Sequence, residues 1–230
     1  MRCGIVTIWI EEEIMHYEIL VEGQSELTLL STIMPQILGR YNEPHTWKIH
    51  KHRGVGKLPE DMAANPNPSA PTLLHNLPAK LRAYGRSEDE QLGVVVLVDL
   101  DAHPDCCIFK QMLLRTLDFC PKSPHCLFRI AIEEMEAWML GDRQALIAAY
   151  PHIDLEVLDT YVQDSQCGTW EFLIRAVHGR EALQRHRSAG LMHLKMDLAK
   201  KVSRHMVVER NCSASFQEFC KGMKRMQSRL

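Results

Sequence analysis

The sequence predicts an α/β protein in which a mainly parallel sheet is flanked by helices and followed by a mostly helical C-terminal part. Two observations support this prediction. Runs of β-prone residues alternate with segments of helical periodicity as far as Gly141, and the chain beyond it has helical periodicity without repeats. Residues 92–98 form a continuous apolar run, which is typical of a central parallel strand buried on both faces. Such alternation predicts right-handed βαβ units, and therefore parallel strands.

The first predicted unit is a strand, a turn and a helix. Residues 16–21 are β-prone, and Gly23 interrupts the run. Apolar residues then recur at helical spacing over residues 27–37, as far as Gly39. Ser25 is the predicted N-cap of this helix, because a serine hydroxyl can accept a hydrogen bond from a free N–H of the first turn.

The next elements repeat this order. A second strand is predicted at residues 46–50. The proline-rich residues 59–71 predict an exposed connection, because proline removes a backbone donor and fixes the backbone angle φ. A stripe of leucines then predicts a helix over residues 73–81, ending near Gly85, and the apolar strand at residues 92–98 follows it.

A helix, a strand and a further helix complete the predicted core. The helix is expected at residues 107–117 and the strand at residues 126–132, and residues 133–140 are helix-prone. We therefore predict an α/β core over residues 15–142. Residues 143–230 are predicted to form a helical, basic region that packs on this core.

Residues 1–14 are predicted to be an N-terminal extension, with Met15 as the natural start. The beginning of the chain is apolar, but Glu11, Glu12 and Glu13 stand where a signal peptide needs small residues. No apolar stretch reaches the ~20 residues that span a bilayer, so no membrane association is expected. The eight cysteines contain no CxxC pair, and free thiols in a reducing compartment predict a cytoplasmic protein.

The net charge of −2 is distributed unevenly along the chain. Residues 180–230 carry a charge of +8, and the remainder of the chain carries −10. A basic segment beside an acidic core indicates an anionic partner such as nucleic acid. The alternative interpretation is a solvated helical surface.

Carboxylates follow three of the predicted strands, at the point where each strand ends. In a parallel α/β sheet the functional crevice lies at the carboxyl ends of the strands, so these side chains are expected to meet. The two aspartates after the apolar strand are two residues apart, which in an extended chain puts both on one side, about 6.5 Å apart. Oxygen ligands of this kind suit Mg²⁺ or Mn²⁺. The acidic residues are Glu22, Asp99, Asp101, Glu133, Glu134 and Glu136. An aspartate after a buried strand can instead cap the next helix, and this alternative stays open for Asp99 and Asp101.

The Glu22-Gly23 pair, with Asp99-x-Asp101 downstream, resembles the Toprim signature of topoisomerases, primases and OLD nucleases. The finer resemblance is to a family of small bacterial Toprim-like proteins of unassigned function, often encoded beside an ABC/AAA-type ATPase. It covers most of residues 16–225. The segments that carry it are residues 19–26, 51–59, 94–102, 130–140 and 195–219.

This resemblance implies a Toprim-like fold and a metal-dependent active site. Asp99 and Asp101 would be metal ligands, and Glu22 would be a further ligand or the general acid or base. The metal would polarise a phosphodiester and orient an attacking water.

A second metal ion would be held by Glu133 or Glu136. We favour Glu136 with Glu133 as its partner, because positions three apart share a helix face, and Glu134 would then point elsewhere. No tyrosine can be placed beside the acidic residues from the sequence. Hydrolysis by water is therefore favoured over a topoisomerase-like covalent intermediate.

Two groups of basic residues are candidates for phosphate or nucleic-acid binding. The first follows the second strand, where Gly54 and Gly56 allow close backbone approach, and its alternative interpretation is a solvated turn. The second lies in the C-terminal part and is predicted to line a face that binds the nucleic-acid backbone. The first group is Lys51, Arg53 and Lys57, and the second is Lys195, Lys200 and Lys201.

A histidine and two cysteines follow the Asp99-x-Asp101 pair. His103 with Cys106 and Cys107 could bind zinc. Adjacent cysteines, however, cannot easily both face one ion, so a zinc site is not the favoured interpretation.

Three functions are compatible with the sequence. The leading hypothesis is a Mg²⁺-dependent nuclease acting on DNA or RNA, an effector subunit switched by an ATPase in a phage-defence system. The ATPase partner and the defence role are implied by the resemblance only. The alternatives are a non-catalytic Toprim-like adaptor that binds the ATPase and a nucleotide phosphohydrolase. The intact acidic residues Glu22, Asp99 and Asp101 argue against the adaptor.

Overall fold

The computed structural model describes residues 14–101, 103–165, 168–185 and 188–227. The predicted N-terminal extension lies outside these residues except for Ile14. The strands are β1 (His16–Val21), β2 (Thr46–Lys51), β3 (Leu92–Asp99) and β4 (Cys126–Ala131). The helices are α1 (Gln24–Leu38), α2 (Leu73–Gly85), α3 (Cys106–Leu114), α4 (Glu136–Leu140), α5 (Arg143–Ala149), α6 (Leu155–Leu158), α7 (Thr169–His178), α8 (Ala182–Arg185), α9 (Ser188–Val202) and α10 (Ala214–Gln227). Two 3₁₀ helices span Arg115–Phe119 and Val208–Arg210.

The four strands form one parallel sheet in the order β2-β1-β3-β4. His16 in β1 lies opposite Thr46 in β2 and Leu92 in β3, and Val94 in β3 lies opposite Cys126 in β4. Because all four strands run in the same direction, their carboxyl ends lie along one edge of the sheet. The predicted α/β class, with a parallel sheet flanked by helices, is confirmed.

Helices cover both faces of the sheet. Successive side chains of a strand point to opposite faces, and β3 shows this directly. Val95 and Leu97 belong to a core shared with α1 and the C-terminal helices. Val94, Val96 and Val98 belong to a second core shared with α2 and α3. Burial on both faces is the reason why this strand is apolar throughout.

The C-terminal helices pack on the sheet and on α1. Helix α9 lies against α1, and α10 lies against both β4 and α1. Leu198 and Phe219 are fully buried in the same cluster as Ile19 of β1. The Trp138 indole Nε1–H donates a hydrogen bond of 2.9 Å to Ser215 Oγ at the start of α10. Residues after Gly141 therefore help to form the main hydrophobic core.

Helix α1 begins differently from the prediction. Its N-cap position is Gly23, without a side-chain cap. Ser25 lies inside the helix and donates its hydroxyl to Glu26 Oε1 at 3.0 Å, so its prediction as the N-cap is wrong. The reason is that the helix starts directly after the strand, one turn before its first apolar residues.

The helix that follows β3 is capped by Asp105. Its Oδ1 accepts hydrogen bonds from the N–H groups of Cys107 and Ile108, at 2.7 and 3.0 Å. Asp99 and Asp101 therefore do not cap α3, and the capping alternative does not explain their place in the sequence.

Within the described residues, no helix combines the length and apolar character needed to cross a membrane. The cysteines in the same residues are free thiols: Cys106, Cys107, Cys120, Cys126, Cys212 and Cys220.

Candidate functional site

Acidic side chains from β1 and β3 meet at the carboxyl edge of the sheet. Glu22 follows β1 directly, and its Oε1 accepts a hydrogen bond of 2.8 Å from the backbone N–H of Asp99, the last residue of β3. This bond joins two strand ends that are 77 residues apart in the sequence. The expectation that carboxylates at these strand ends meet therefore holds for Glu22 and Asp99.

Asp99 is buried at the centre of this edge. Its Oδ1 accepts a hydrogen bond of 3.0 Å from the backbone N–H of Met135, beyond the end of β4. Burial, together with the negative charges of Glu22, Glu26 and Glu136, raises the pKa of Asp99 well above its usual range. The Asp99 side chain is thus held in place by the Met135 N–H, while burial and the neighbouring carboxylates disfavour its ionised form.

The pKa of Glu22 is raised as well. Burial raises its pKa to about 8, and the charges of Glu26 and Asp101 add to this effect. The hydrogen bond from the Asp99 N–H and the charge of Lys195 oppose it. A carboxyl group with a pKa near neutrality can both accept and release a proton under physiological conditions.

Glu26 belongs to this cluster, although it was not among the predicted site residues. It is buried, and its Oε2 has no hydrogen-bond partner. Its charge acts on Glu22, Asp99 and Glu136 alike. A signal was present in the sequence, since Glu26 is an acidic residue in the first turn of the helix that begins two residues after Glu22.

Glu136 and Lys195 form a buried ion pair beside these residues. Lys195 Nζ lies 3.1 Å from Glu136 Oε1, with the two side chains 22% and 1% exposed. The second oxygen of Glu136 is buried without a partner. Burial, opposed mainly by Lys195, raises the pKa of Glu136 to about 7. For Lys195, burial acts against the charged form, but Glu136 and Asp99 hold its pKa above the ordinary value. We call Glu22, Glu26, Asp99, Glu136 and Lys195 the inner cluster.

Asp101 and Glu134 lie outside the inner cluster. Asp101 is exposed and has a φ of 48°, so the chain is no longer extended there, and the extended geometry assumed for the two aspartates does not apply at Asp101. Partial burial and the charge of Glu134 raise the pKa of Asp101. Glu134 Oε2 accepts hydrogen bonds from Thr169 Oγ1 at 2.7 Å and from the Trp170 N–H at 3.0 Å, at the start of α7.

Glu133 does not share a helix face with Glu136, because α4 begins only at Glu136 and Glu133 has a φ of 66°. The predicted pairing of Glu133 with Glu136 on one helix face is therefore wrong. Glu133 Oε2 instead accepts a hydrogen bond of 3.1 Å from the hydroxyl of Tyr161. Burial, with this hydrogen bond opposing it, raises the pKa of Glu133 to about 7. Tyr161 is a tyrosine beside the acidic residues, which the sequence did not reveal because the two lie 28 residues apart.

The first basic group lies next to the strand end that carries Glu22. The Gly54 N–H donates to the backbone oxygen of Glu22 at 2.9 Å, and Lys51 Nζ donates to Gln24 Oε1 at the start of α1. Gly56 has a φ of 68°, and a Cβ there would lie 2.2 Å from Thr72 Oγ1, so this position requires glycine. The side chains of Lys51, Arg53 and Lys57 are exposed.

The second basic group is divided by the structure. Lys195 is partly buried in the inner cluster, whereas Lys200 and Lys201 are exposed further along α9. Lys201 Nζ forms an ion pair with Asp197 at 2.9 Å and lies 5.2 Å from the ring centroid of Tyr150. The three lysines thus do not form one face, because Lys195 turns towards the sheet and the other two turn away from it.

A family model described as a domain of unknown function (DUF4276) matches residues 21–224. The chain belongs to this family. The fold is similar to that of the C-terminal region of the Burkholderia pseudomallei OLD protein, with 14% sequence identity and a TM-score of 0.47. That similarity covers 92% of this chain and 98% of the other. No curated protein matches the chain.

In this DUF4276 chain, Lys195→Met is expected to lower the stability of the metal-free protein by about 3 kcal/mol. Removing one partner of a buried ion pair leaves the remaining carboxylates uncompensated. This corresponds to a melting temperature lower by roughly 6–12 °C for a chain of this size, which thermal unfolding followed by circular dichroism would measure.

Lys201→Met is the matched control. Lys201 is half exposed and pairs with Asp197 on the surface, where an ion pair contributes at most about 1 kcal/mol. Equal melting temperatures for the two variants would contradict the structural role that we assign to Lys195.

Proposed function

We propose that this chain is a divalent-metal-dependent nuclease that hydrolyses phosphodiester bonds at the inner cluster. One observation carries the proposal. Four carboxyl groups and one ammonium group form the inner cluster at the carboxyl edge of the sheet, and buried oxygens of Glu26 and Glu136 have no partner. Buried polar groups are nearly always satisfied, and clustered carboxylates repel one another. A bound cation would satisfy both requirements.

The ligand atoms that the inner cluster offers are of the type that Mg²⁺ or Mn²⁺ binds. The inner cluster offers only carboxylate oxygens, which hard divalent cations prefer. Within the described residues, only Asp105, Cys106 and Cys107 form a group of three or more His, Cys, Asp or Glu side chains whose ligand atoms all lie within 4.8 Å of one another. The inner cluster would therefore hold an ion through one or two carboxylates and water, the usual mode of Mg²⁺ in phosphate-handling sites.

Asp99 is the ligand that we favour for a first ion, with Glu26 and Glu136 beside it. Asp101 and Glu134, whose charges interact outside the inner cluster, would hold a second ion. A bound divalent metal would polarise the phosphodiester and make an attacking water more acidic.

The protein's own groups supply the remaining chemistry. Glu22, whose pKa is raised to about 8, would become ionised beside a bound cation and could then take up a proton from an attacking water. Lys195 stays protonated and places a positive charge where negative charge develops on the phosphate oxygens. The exposed side chains of Lys51, Arg53 and Lys57 would hold neighbouring phosphates beside Glu22.

Hydrolysis is favoured over a covalent tyrosyl intermediate, although Tyr161 lies close to the acidic residues. Its hydroxyl donates to Glu133. Burial and the charge of Glu133 raise the pKa of Tyr161, which disfavours the phenolate that would have to attack. Tyr161 is better suited to orienting the Glu133 carboxylate.

The resemblance to Toprim-like families supports the wider context of the proposal. It implies an ABC/AAA-type ATPase as a partner and a role as an effector in phage defence. A cytoplasmic location agrees with the free thiols in the described residues.

The test is incubation of the purified protein with plasmid DNA and with total RNA in Mg²⁺, Mn²⁺ or EDTA. Each reaction is run with and without any ABC/AAA-type ATPase that the genome encodes beside it. We expect cleavage of one class of nucleic acid in the presence of metal and none in EDTA. Phosphate release from nucleotides, without cleavage of polymers, would identify a nucleotide phosphohydrolase. Binding of the ATPase with neither activity would identify an adaptor.

A further inference from the structure

A second group of metal-ligating side chains lies outside the inner cluster. It consists of Asp105, Cys106 and Cys107, at the start of α3. One carboxylate oxygen and the two Sγ atoms all lie within 4.8 Å of one another. The adjacent cysteines thus bring their thiols together, contrary to the argument from sequence that they could not easily face one ion.

The local backbone explains this convergence. Asp105 is extended, with φ −145° and ψ 114°, and the helix starts at the next residue. Asp105 Oδ1 is fixed by the N–H groups of Cys107 and Ile108, and these bonds leave Oδ2 available. His103 takes no part, because its ring stacks on Phe109 with centroids 4.0 Å apart.

The surroundings leave room for an ion and its water. Cys106 is half-buried and Cys107 is exposed. Both line a cavity of about 340 Å³ beside β4, together with Lys110 and Ser215. Tetrahedral zinc with Zn–S bonds of about 2.3 Å requires sulfur atoms about 3.8 Å apart, so modest side-chain rotations would complete the geometry.

We propose that Asp105, Cys106 and Cys107 bind a thiophilic divalent cation of the zinc type, with water in the fourth position. Thiolates select Zn²⁺ or Cd²⁺, whereas Mg²⁺ prefers the all-oxygen inner cluster. Two thiolates, a carboxylate and a divalent ion leave one negative charge, which the Lys110 ammonium in the same cavity offsets. Because Asp101 lies four residues before Asp105, the ion would restrain the segment that carries Asp101.

The test is titration of the reduced, metal-free full-length protein with Cd²⁺, followed by thiolate-to-metal charge-transfer absorbance in the ultraviolet. We expect a saturable band at one ion per chain, competed by Zn²⁺ and unaffected by excess Mg²⁺. Cys106→Ser and Cys107→Ser should each remove most of the band and weaken binding at least tenfold. Asp105→Asn keeps a side chain that can cap the helix and should weaken binding less.

Cys212→Ser is the control, because Cys212 is also an exposed free thiol but lies outside the group. It should bind like the wild type. A band that survives in both Cys106→Ser and Cys107→Ser, or no stoichiometric uptake at all, would overturn the proposal. Asp99→Asn should titrate normally, so the outcome here is independent of whether the inner cluster cleaves nucleic acid.

Discussion

Asp99→Asn is expected to reduce metal-dependent cleavage by about a thousandfold or more without unfolding the protein. Asparagine has the same shape and keeps an oxygen that can accept the hydrogen bond from the Met135 N–H. It lacks the negative charge that a divalent cation needs at the centre of the inner cluster. A metal contributes several kcal/mol of transition-state stabilisation, and each 1.36 kcal/mol is about tenfold in rate.

The rate would be measured on labelled nucleic acid of the class that the wild type cleaves, in saturating Mg²⁺. Glu88→Gln is the matched control, because Glu88 is an exposed acid before β3, at the opposite end of that strand. It should cleave at the wild-type rate. A fully active Asp99→Asn protein would show that the inner cluster is not the active site.

The metal-free protein is expected to lose stability as the pH rises from about 5 to about 9, because buried carboxyls of the inner cluster must ionise. The pKa of Glu22 rises from its ordinary value of 4.5 to about 8 in the folded protein, and that of Glu136 to about 7. Their contribution is fully present below pH 4.5 and is lost as the pH passes through these higher values. Glu22 alone accounts for on the order of 5 kcal/mol, or roughly 10–20 °C in melting temperature.

Thermal unfolding in EDTA across this pH range would measure the effect. Glu22→Gln has no carboxyl to ionise at this position and should show a flatter profile. Saturating Mg²⁺ should stabilise the wild type most at high pH, since the ionised carboxylates bind the cation and ligand binding stabilises the folded state. A melting temperature in EDTA that is constant or rises over this range would contradict the assigned burial of these groups.

The strand and helix pattern could be predicted because it depends on local properties of the chain. Residues 92–98 are apolar at every position, as burial on both sheet faces requires, and they form β3 as predicted. The leucines of residues 73–81 recur at helical spacing and form α2. Helix starts were less predictable, because the residue that caps a helix depends on where the preceding chain turns. Asp105 rather than Asp99 or Asp101 caps α3 for this reason.

The placement of Glu22 and Asp99 at the same sheet edge could be predicted from the sequence, because both follow strands that had to be parallel. Which other side chains join them depends on the tertiary structure. Lys195 pairs with Glu136 across 59 residues, since α9 packs on α1. Tyr161 comes to lie beside Glu133, 28 residues earlier in the sequence, only when the chain folds. Contacts of this kind depend on how helices pack against the sheet, and no local periodicity encodes that packing.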